Sequence, residues 1–333
     1  MAIKCYAASK PGSLLEPFEY EPASLGSNDV QIQITHCGIC HSDIHLIDND
    51  WDISVYPLVP GHEIIGKVAA KGDAVKFDLG QRIGVGWQKK SCLECEDCMR
   101  GEENLCASGE ATCVENYGGF AESVVLDSRF AHPIPEEISS ENAAPLLCGG
   151  ITVFSPFVHF GVKPTMHVGV VGIGGLGHLA LQFAAAFGCE VTALSSSEDK
   201  EAEARSFGAT RFVSSTDSET LSLLASTFDF ILVTVHVDLD WPLYINLLKP
   251  NGQICFVGVP KSPLSIPVMP LISGRRSISG SPIGGRYEMR SMLNFAARNK
   301  IQASVEKHPF SALNEAVDRV RNNRAKYRLV LAW

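Results

Sequence analysis

Cys92, Cys95, Cys98 and Cys106 form a C-x2-C-x2-C-x7-C cluster in a stretch without apolar periodicity. Four thiolates spaced this closely can enclose one tetrahedral zinc and leave it no open position, which makes the site structural. Metal binding of this kind returns about 10–16 kcal/mol, enough to order a lobe that docks on a larger body. An iron–sulfur site or two disulfides are the alternatives for the same four residues. A second set is scattered. Cys40 precedes a polar run, His41-Ser42-Asp43-Ile44-His45; His62 lies between Gly61 and Glu63; Cys148 stands before Gly149-Gly150. Two thiolates and one imidazole would hold zinc with the fourth position free for water or substrate. No spacing rule joins these three, and a buried thiol at Cys148 with a hydrogen-bonded loop histidine at His62 is the plainer alternative.

Gly172-Ile173-Gly174-Gly175-Leu176-Gly177 has the G-x-G-x-x-G form. It follows a strand-like run and opens a helical one, the context in which glycines let the backbone approach a pyrophosphate at a helix N-terminus. A glycine-rich turn that binds nothing is the alternative. The end of the next strand tests the cofactor type. NAD-type sites place Asp or Glu there for the ribose hydroxyls. This chain has Ser195-Ser196-Ser197, then Lys200. Serines can donate to a 2′-phosphate and Lys200 can neutralise it, whereas a carboxylate would repel it. NADP is therefore expected over NAD. Glu198 and Asp199 add negative charge nearby, and the serines could instead cap the following helix.

The elements that must carry these residues fall into two textures. Val30–Ile34 alternates apolar and polar, and Ile64–Ala70 and Gln81–Gly86 are strand-like, so the first 150 or so residues read as mostly β with many loops. From Thr152 onward strands alternate with helices: strands at His167–Val171, Glu190–Leu194, Arg211–Val213, Phe228–Val235 and Gln253–Val259, helices at Leu176–Phe187, Glu198–Phe207 and Pro242–Leu248. That alternation predicts a doubly wound parallel sheet, an α/β nucleotide domain. Met289–Ala297 and Leu313–Val320 read as helices, and Arg328–Ala332 as a strand returning to the first domain. The expected organisation is a catalytic domain over 1–152 with the cysteine lobe at 92–106, a Rossmann domain over 153–282, and a return over 283–333.

The 333 residues are 45% hydrophobic and 20% charged with a net charge of −9, an ordinary globular mixture. The acidic balance and the lack of a long basic run argue against nucleic acid or an anionic membrane as partner. The sequence shows no signal peptide and no spanning helix, so the eleven cysteines are expected to be reduced thiols and metal ligands in the cytoplasm.

Taken together, these motifs resemble the zinc-dependent medium-chain alcohol dehydrogenases, and within them the cinnamyl alcohol dehydrogenase group with its bacterial NADPH-dependent aldehyde reductases. The resemblance rests on Cys37-Gly38-Ile39-Cys40-His41-Ser42-Asp43, Tyr56-Pro57-Leu58-Val59-Pro60-Gly61-His62-Glu63, Gly61-His62-Glu63-x-x-Gly66-x5-Gly72, the cysteine lobe, Leu147-Cys148-Gly149-Gly150-Ile151-Thr152 and the glycine turn, in family order. It implies a GroES-like catalytic domain, one catalytic and one structural zinc per chain, and NADP(H). Cys40, His62 and Cys148 match the catalytic zinc ligands. Glu63 matches the acidic neighbour that can also coordinate. Ser42 matches the hydroxyl that bonds the substrate oxygen, His45 the distal end of a proton relay, and Asp43 the carboxylate that orients the metal-binding histidine. Thr152 matches a cofactor contact, and Arg328 resembles an arginine near the pyrophosphate. His41 stands where relatives often have Arg, and Asp52 where they usually have Gly. Cys37 is not a ligand in this reading.

The implied reaction is reversible hydride transfer between NADPH and an aldehyde, giving a primary alcohol. Trp51, Tyr56 and Trp87 are candidates for lining a pocket for a medium-chain or aromatic aldehyde, or equally for the core. A homo-oligomer, a dimer, is the expected assembly. Two rivals stand beside this reading: an NAD-dependent polyol or alcohol dehydrogenase, which the serines disfavour, and a zinc- and nucleotide-binding scaffold without catalysis, which would have no need of an open metal site.

Overall fold

The computed structural model describes residues 2–333. Two compact units emerge: one runs to Ile151 and resumes at Gly284–Trp333, and the other is Thr152–Ile283. The first is built on a seven-stranded sheet in the order Val305–Pro309, Arg328–Ala332, Asp29–Ile39, Glu63–Lys71, Arg82–Val85, Ala131–Pro133, with Ser123–Asp127 also paired to Asp29–Ile39. The alternation in Asp29–Ile39 places Val30, Ile32 and Ile34 in the core and turns the intervening polar residues outward. Arg328–Ala332 pairs antiparallel with Asp29–Ile39, so the C-terminal strand does return to the first unit.

Register explains why chemistry collects at one end of that sheet. Gly38 is paired with Glu63, and Leu329 with Ile39. The start of the polar run at Cys40, the His62-Glu63 pair and Arg328 therefore leave three adjacent strands at the same level.

The second unit is a six-stranded parallel sheet in the order Arg211–Ser214, Glu190–Ser195, His167–Val171, Phe228–Val233, Leu248–Phe256, Ser277–Gly280. Val168, Val170 and Val171 are buried because helices cover a parallel sheet on both faces. The order reverses after His167–Val171, the strand that feeds the glycine turn, and such a switch point is where doubly wound sheets bind ligands. The expected helix at Glu198–Phe207 is split into a 3-10 turn, Glu198–Lys200, and a helix, Glu201–Ser206. Ser277–Gly280 and Val305–Pro309 are edge strands that the pattern does not announce: one is four residues long, and the other has no fully buried position. No helix of the described residues is long and apolar enough to cross a membrane.

The glycine turn is tight for a measurable reason. A Cβ on Gly177 would lie 1.9 Å from the carbonyl oxygen of Gly172. Gly177→Ala is expected to destabilise the protein by about 1–3 kcal/mol through backbone displacement, read as a lower midpoint in a circular-dichroism melt; an unchanged midpoint would show that the turn opens freely.

Candidate active site and metal centres

Asp43 organises the first site. It is the third residue of the helix His41–Asp48, and its carboxylate is fully buried. Oδ2 accepts from the backbone N–H of Cys40 at 2.8 Å, ending the helix as a cap. Oδ1 accepts from the Gly61 N–H and from His62 Nδ1, both at 2.9 Å. A carboxylate is acceptor-only when ionised, so His62 carries its proton on Nδ1 and presents Nε2 as a lone pair. That Nε2 lies 3.2 Å from Cys148 Sγ, and Cys40 Sγ lies 3.9 Å from Cys148 Sγ. Cys148 arrives from Leu146–Gly150, a π-helical turn of the kind that often marks a functional position.

The donor set fits a metal. Two thiolates on one tetrahedral zinc sit about 3.8 Å apart, given Zn–S bonds of about 2.3 Å, close to the 3.9 Å between Cys40 and Cys148. Ligand atoms of Cys40, His62, Glu63 and Cys148 all lie within 4.8 Å of one another, and all four residues are buried. Glu63 gives one oxygen to Arg328 Nη2, while its Oε2 is buried without a hydrogen-bond partner, as is Arg328 Nε. A partnerless buried carboxylate oxygen beside two thiols points to a cation. The hydrogen bond from Cys148 holds the Cys40 thiol well below its ordinary range, and the same bond together with burial holds Cys148 well above it. Burial opposes charge on His62, but the Asp43 carboxylate and the Cys148 sulfur raise it well above the usual histidine value. A metal would displace these protons.

Around this centre the other expected residues take distinct places. Ser42 Oγ accepts from the Cys40 thiol at 3.6 Å. His45 Nδ1 is 2.7 Å from Asp50 Oδ2, a partner that sequence reasoning missed although it lies only five residues on. The His45 ring packs 5.3 Å from His41 and 5.0 Å from Trp51, Trp51 lies 6.3 Å from Trp87, and Trp87 meets the His62 ring edge-on at 5.0 Å. Trp51 and Trp87 thus form an aromatic wall beside the metal ligands. Tyr56 does not join it; its hydroxyl donates to Leu46 O at 3.2 Å and Ile47 O at 2.9 Å, fastening the helix. Cys113 is buried with its sulfur within 4.8 Å of ligand atoms of Asp43 and His62. Cys37 Sγ faces the backbone at Gly61 and Gly119 and is outside the ligand group. Arg328, expected at a pyrophosphate, is buried on Glu63.

The second metal set is the lobe. All four sulfurs of Cys92, Cys95, Cys98 and Cys106 lie within 4.8 Å, with Cys92 at 3.9 Å from Cys98 and 3.5 Å from Cys106. Backbone N–H groups of Glu94 and Cys95 bring Cys92 down to about 6, toward the thiolate that binds metal.

In the second unit, Gly172 and Gly177 shape the turn, and the space where a Cβ of Gly174 would stand is open within 4 Å. Glycine there has no packing reason, so the room suits an approaching phosphate. Gly175 and Leu176 complete the turn, and the helix Gly177–Ala186 starts at it. Lys200 Nζ donates to the Ile173 carbonyl at 2.9 Å, which ties the end of the serine loop to the turn. Ser195 is buried and its Oγ accepts from Ser197 N–H at 3.2 Å; Ser196, Glu198 and Asp199 are exposed. The side chain of Ser197 makes no capping bond to the 3-10 turn that follows, so helix capping does not account for the serines. Thr152 is buried at the start of this unit.

Comparison with known proteins gives concordant matches. The alcohol dehydrogenase GroES-like domain family matches residues 26–136, and the zinc-binding dehydrogenase family matches residues 175–298. Aldehyde reductase AdhA of Synechocystis sp. is 46% identical over 99% of this chain and 98% of its own. A cinnamyl alcohol dehydrogenase from Sorghum bicolor superposes with a TM-score of 0.95 at 37% identity, covering 100% of this chain and 98% of its own. The cinnamyl alcohol dehydrogenase of Helicobacter pylori, solved in complex with NADP(H), gives 0.91 at 32% identity over 100% and 98%.

Metal analysis of the purified protein is expected to find two zinc ions per chain. Cys98→Ser should release one and loosen the lobe; Cys148→Ser should release the other and abolish turnover with the far-ultraviolet spectrum retained. One zinc or none in native protein would remove the two-site account.

Proposed function

The chain belongs to the zinc-dependent medium-chain alcohol dehydrogenases, and from that premise we propose that it reduces medium-chain or aromatic aldehydes to primary alcohols with NADPH, reversibly. The observation that carries this reading is the convergence of Cys40, His62 and Cys148 on one point with the Ser42 hydroxyl beside it. Zinc held there by those three residues supplies Lewis acidity toward a carbonyl oxygen, and NADPH supplies the hydride.

The protein's own groups do the rest. Asp43 holds the imidazole of His62 in the tautomer that can ligate. Glu63 provides a further oxygen, steadied by Arg328. Ser42 hydrogen-bonds the reacting oxygen and gives it a proton as the alcohol forms. His45 supplies the proton that replaces it on Ser42, drawn from solvent, with its ring oriented by Asp50. Trp51 and Trp87 make a large apolar wall, which suits an aromatic or extended side chain better than a polyol.

NADPH is favoured because the strand Glu190–Ser195 ends in serines where a carboxylate would hold NAD, and the NADP(H) complex of the Helicobacter pylori relative is consistent with that choice. His41, Thr152, Gly172, Gly174, Gly175, Leu176, Gly177, Ser195, Ser196, Lys200 and Arg328 are assigned to the cofactor. Lys200 must leave the Ile173 carbonyl or share it to reach a 2′-phosphate. We assign the protein to the cytoplasm, since none of its eleven cysteines is paired in a disulfide, and to a homodimer, since Ser277–Gly280 ends the sheet with exposed Val268, Met269 and Ile272 on the preceding helical segment.

A panel of aldehydes assayed with both cofactors tests the reading. NADPH should exceed NADH by roughly one to three orders of magnitude in kcat/KM, and Ser195→Asp should shrink or invert that ratio. A wild-type preference for NADH would overturn the assignment. Ser42→Ala should lower the rate by roughly 10²–10⁴-fold. His45→Ala should cost less and respond to imidazole buffers. Equal damage from the two, without rescue and with metal content intact, would make His45 a direct acid.

A further inference from the structure

One helix joins the cysteine lobe to the turn that carries Cys148. Between Cys98 and Cys106 the chain makes a 3-10 turn, Glu103–Leu105, which leaves the Glu103 side chain only 3% exposed. Its Oε2 accepts from the backbone N–H of Arg286 at 3.0 Å, and its Oε1 from Arg286 Nε at 2.7 Å. Arg286 is the first residue of the helix Arg286–Asn299, whose cap position, Gly285, has no side chain to offer. Glu103, 183 residues away in sequence, therefore satisfies the helix start with a charge that the helix dipole favours. The backbones also touch: a Cβ on Gly285 would lie 1.9 Å from the Gly101 carbonyl oxygen.

The other end of the connection lies on the same helical face. Arg286, Met289 and Met292 are spaced by three residues, and both methionines are buried. Met289 Cε lies 3.3 Å from where Gly86 would carry a Cβ, a position itself 2.4 Å from the Leu147 carbonyl oxygen. Met292 Sδ lies 3.3 Å from the corresponding position on Gly150. Leu147 and Gly150 belong to the π-helical turn, on either side of Cys148.

Ser or Asp usually caps a helix at this position, but beside the Gly101 carbonyl there is no room for a side chain at 285. A cap carried by the lobe instead makes the helix depend on whether the lobe is ordered. We propose that Glu103 is a positioning residue through which the metal of the four-cysteine lobe sets the placement of Cys148: Glu103 seats the helix Arg286–Asn299, and its Met289–Met292 face holds Leu146–Gly150 where Cys148 meets Cys40 and His62. The inference rests on the metal site proposed for those three residues.

The test compares wild type, Glu103→Ala, Met292→Ala and the double variant, each loaded with zinc, by the rate at which zinc passes to a colorimetric chelator. Cobalt exchanged into the Cys40, His62 and Cys148 site gives a second readout, its thiolate-to-metal absorption assigned by the loss of intensity in Cys148→Ser. Glu103→Ala should release the catalytic zinc roughly ten-fold faster and change the cobalt spectrum. Met292→Ala should act in the same direction, and the double variant should fall short of the product of the single effects. Glu103→Gln, which still accepts from the Arg286 N–H, should lie between wild type and Glu103→Ala, and it is the variant to read if Glu103→Ala fails to fold. Zinc release from the catalytic site and a cobalt spectrum both unchanged, with only the lobe loosened, would overturn the proposal, as would effects that multiply independently. A wild type that holds zinc in the lobe alone would instead bring down the metal-site reading itself.

Discussion

A single buried carboxylate holds the active end of this protein together. Asp43 accepts from Cys40 N–H, Gly61 N–H and His62 Nδ1–H, and no part of it reaches solvent. Each donor belongs to a different piece of the site: the first thiol, the turn before the histidine, and the histidine itself. In a low-dielectric interior a charge is tolerated only when its lone pairs are met, and here three N–H groups meet them. The same bonds decide the tautomer of His62 and hence which nitrogen faces the metal. Sheet register does the coarse placement, because the pairings of Gly38 with Glu63 and Ile39 with Leu329 bring the strands to a common end. Asp43 then sets the final ångström.

The residues beyond Asp43 show where the interior is left incomplete. Glu63 and Arg328 form an ion pair at 0% and 5% exposure, yet Glu63 Oε2 and Arg328 Nε have no partners. Breaking such a pair is strongly destabilising, whereas a nearby cation completes it. The bond between the two sulfurs lowers Cys40 and raises Cys148, and the Asp43 carboxylate with the Cys148 sulfur raises His62. Binding a metal there displaces protons from thiols and imidazole, so metal affinity should rise with pH.

Much of this was legible in the sequence where the signal is local. The C-x2-C-x2-C-x7-C spacing specifies a closed lobe because neighbouring ligands need only a short turn to converge. The glycine turn is legible because a strand and a helix flank it, and Val30–Ile34 because alternation maps onto a pleat. Cys40, His62 and Cys148 were found by family resemblance, since no period links a strand end, a loop and a π-helical turn. Asp50 was within reach, five residues beyond His45, but a carboxylate in a polar loop carries no signal of its partner. Ser277–Gly280 and Val305–Pro309 escaped because edge strands lack the buried face that produces a pattern. The contact of Glu103 with Arg286 could not be read at all: it joins residues 183 apart, and only the folded chain makes them neighbours.

The most direct measurement is the zinc affinity of Asp43→Asn, a change that preserves shape and removes the charge. If Asp43 organises the site, the zinc held by Cys40, His62 and Cys148 should bind roughly 10–100-fold more weakly, while the lobe zinc stays unchanged. Wild-type affinity at the catalytic site in a folded Asp43→Asn protein would contradict the account, because the histidine would then be oriented by something other than this carboxylate.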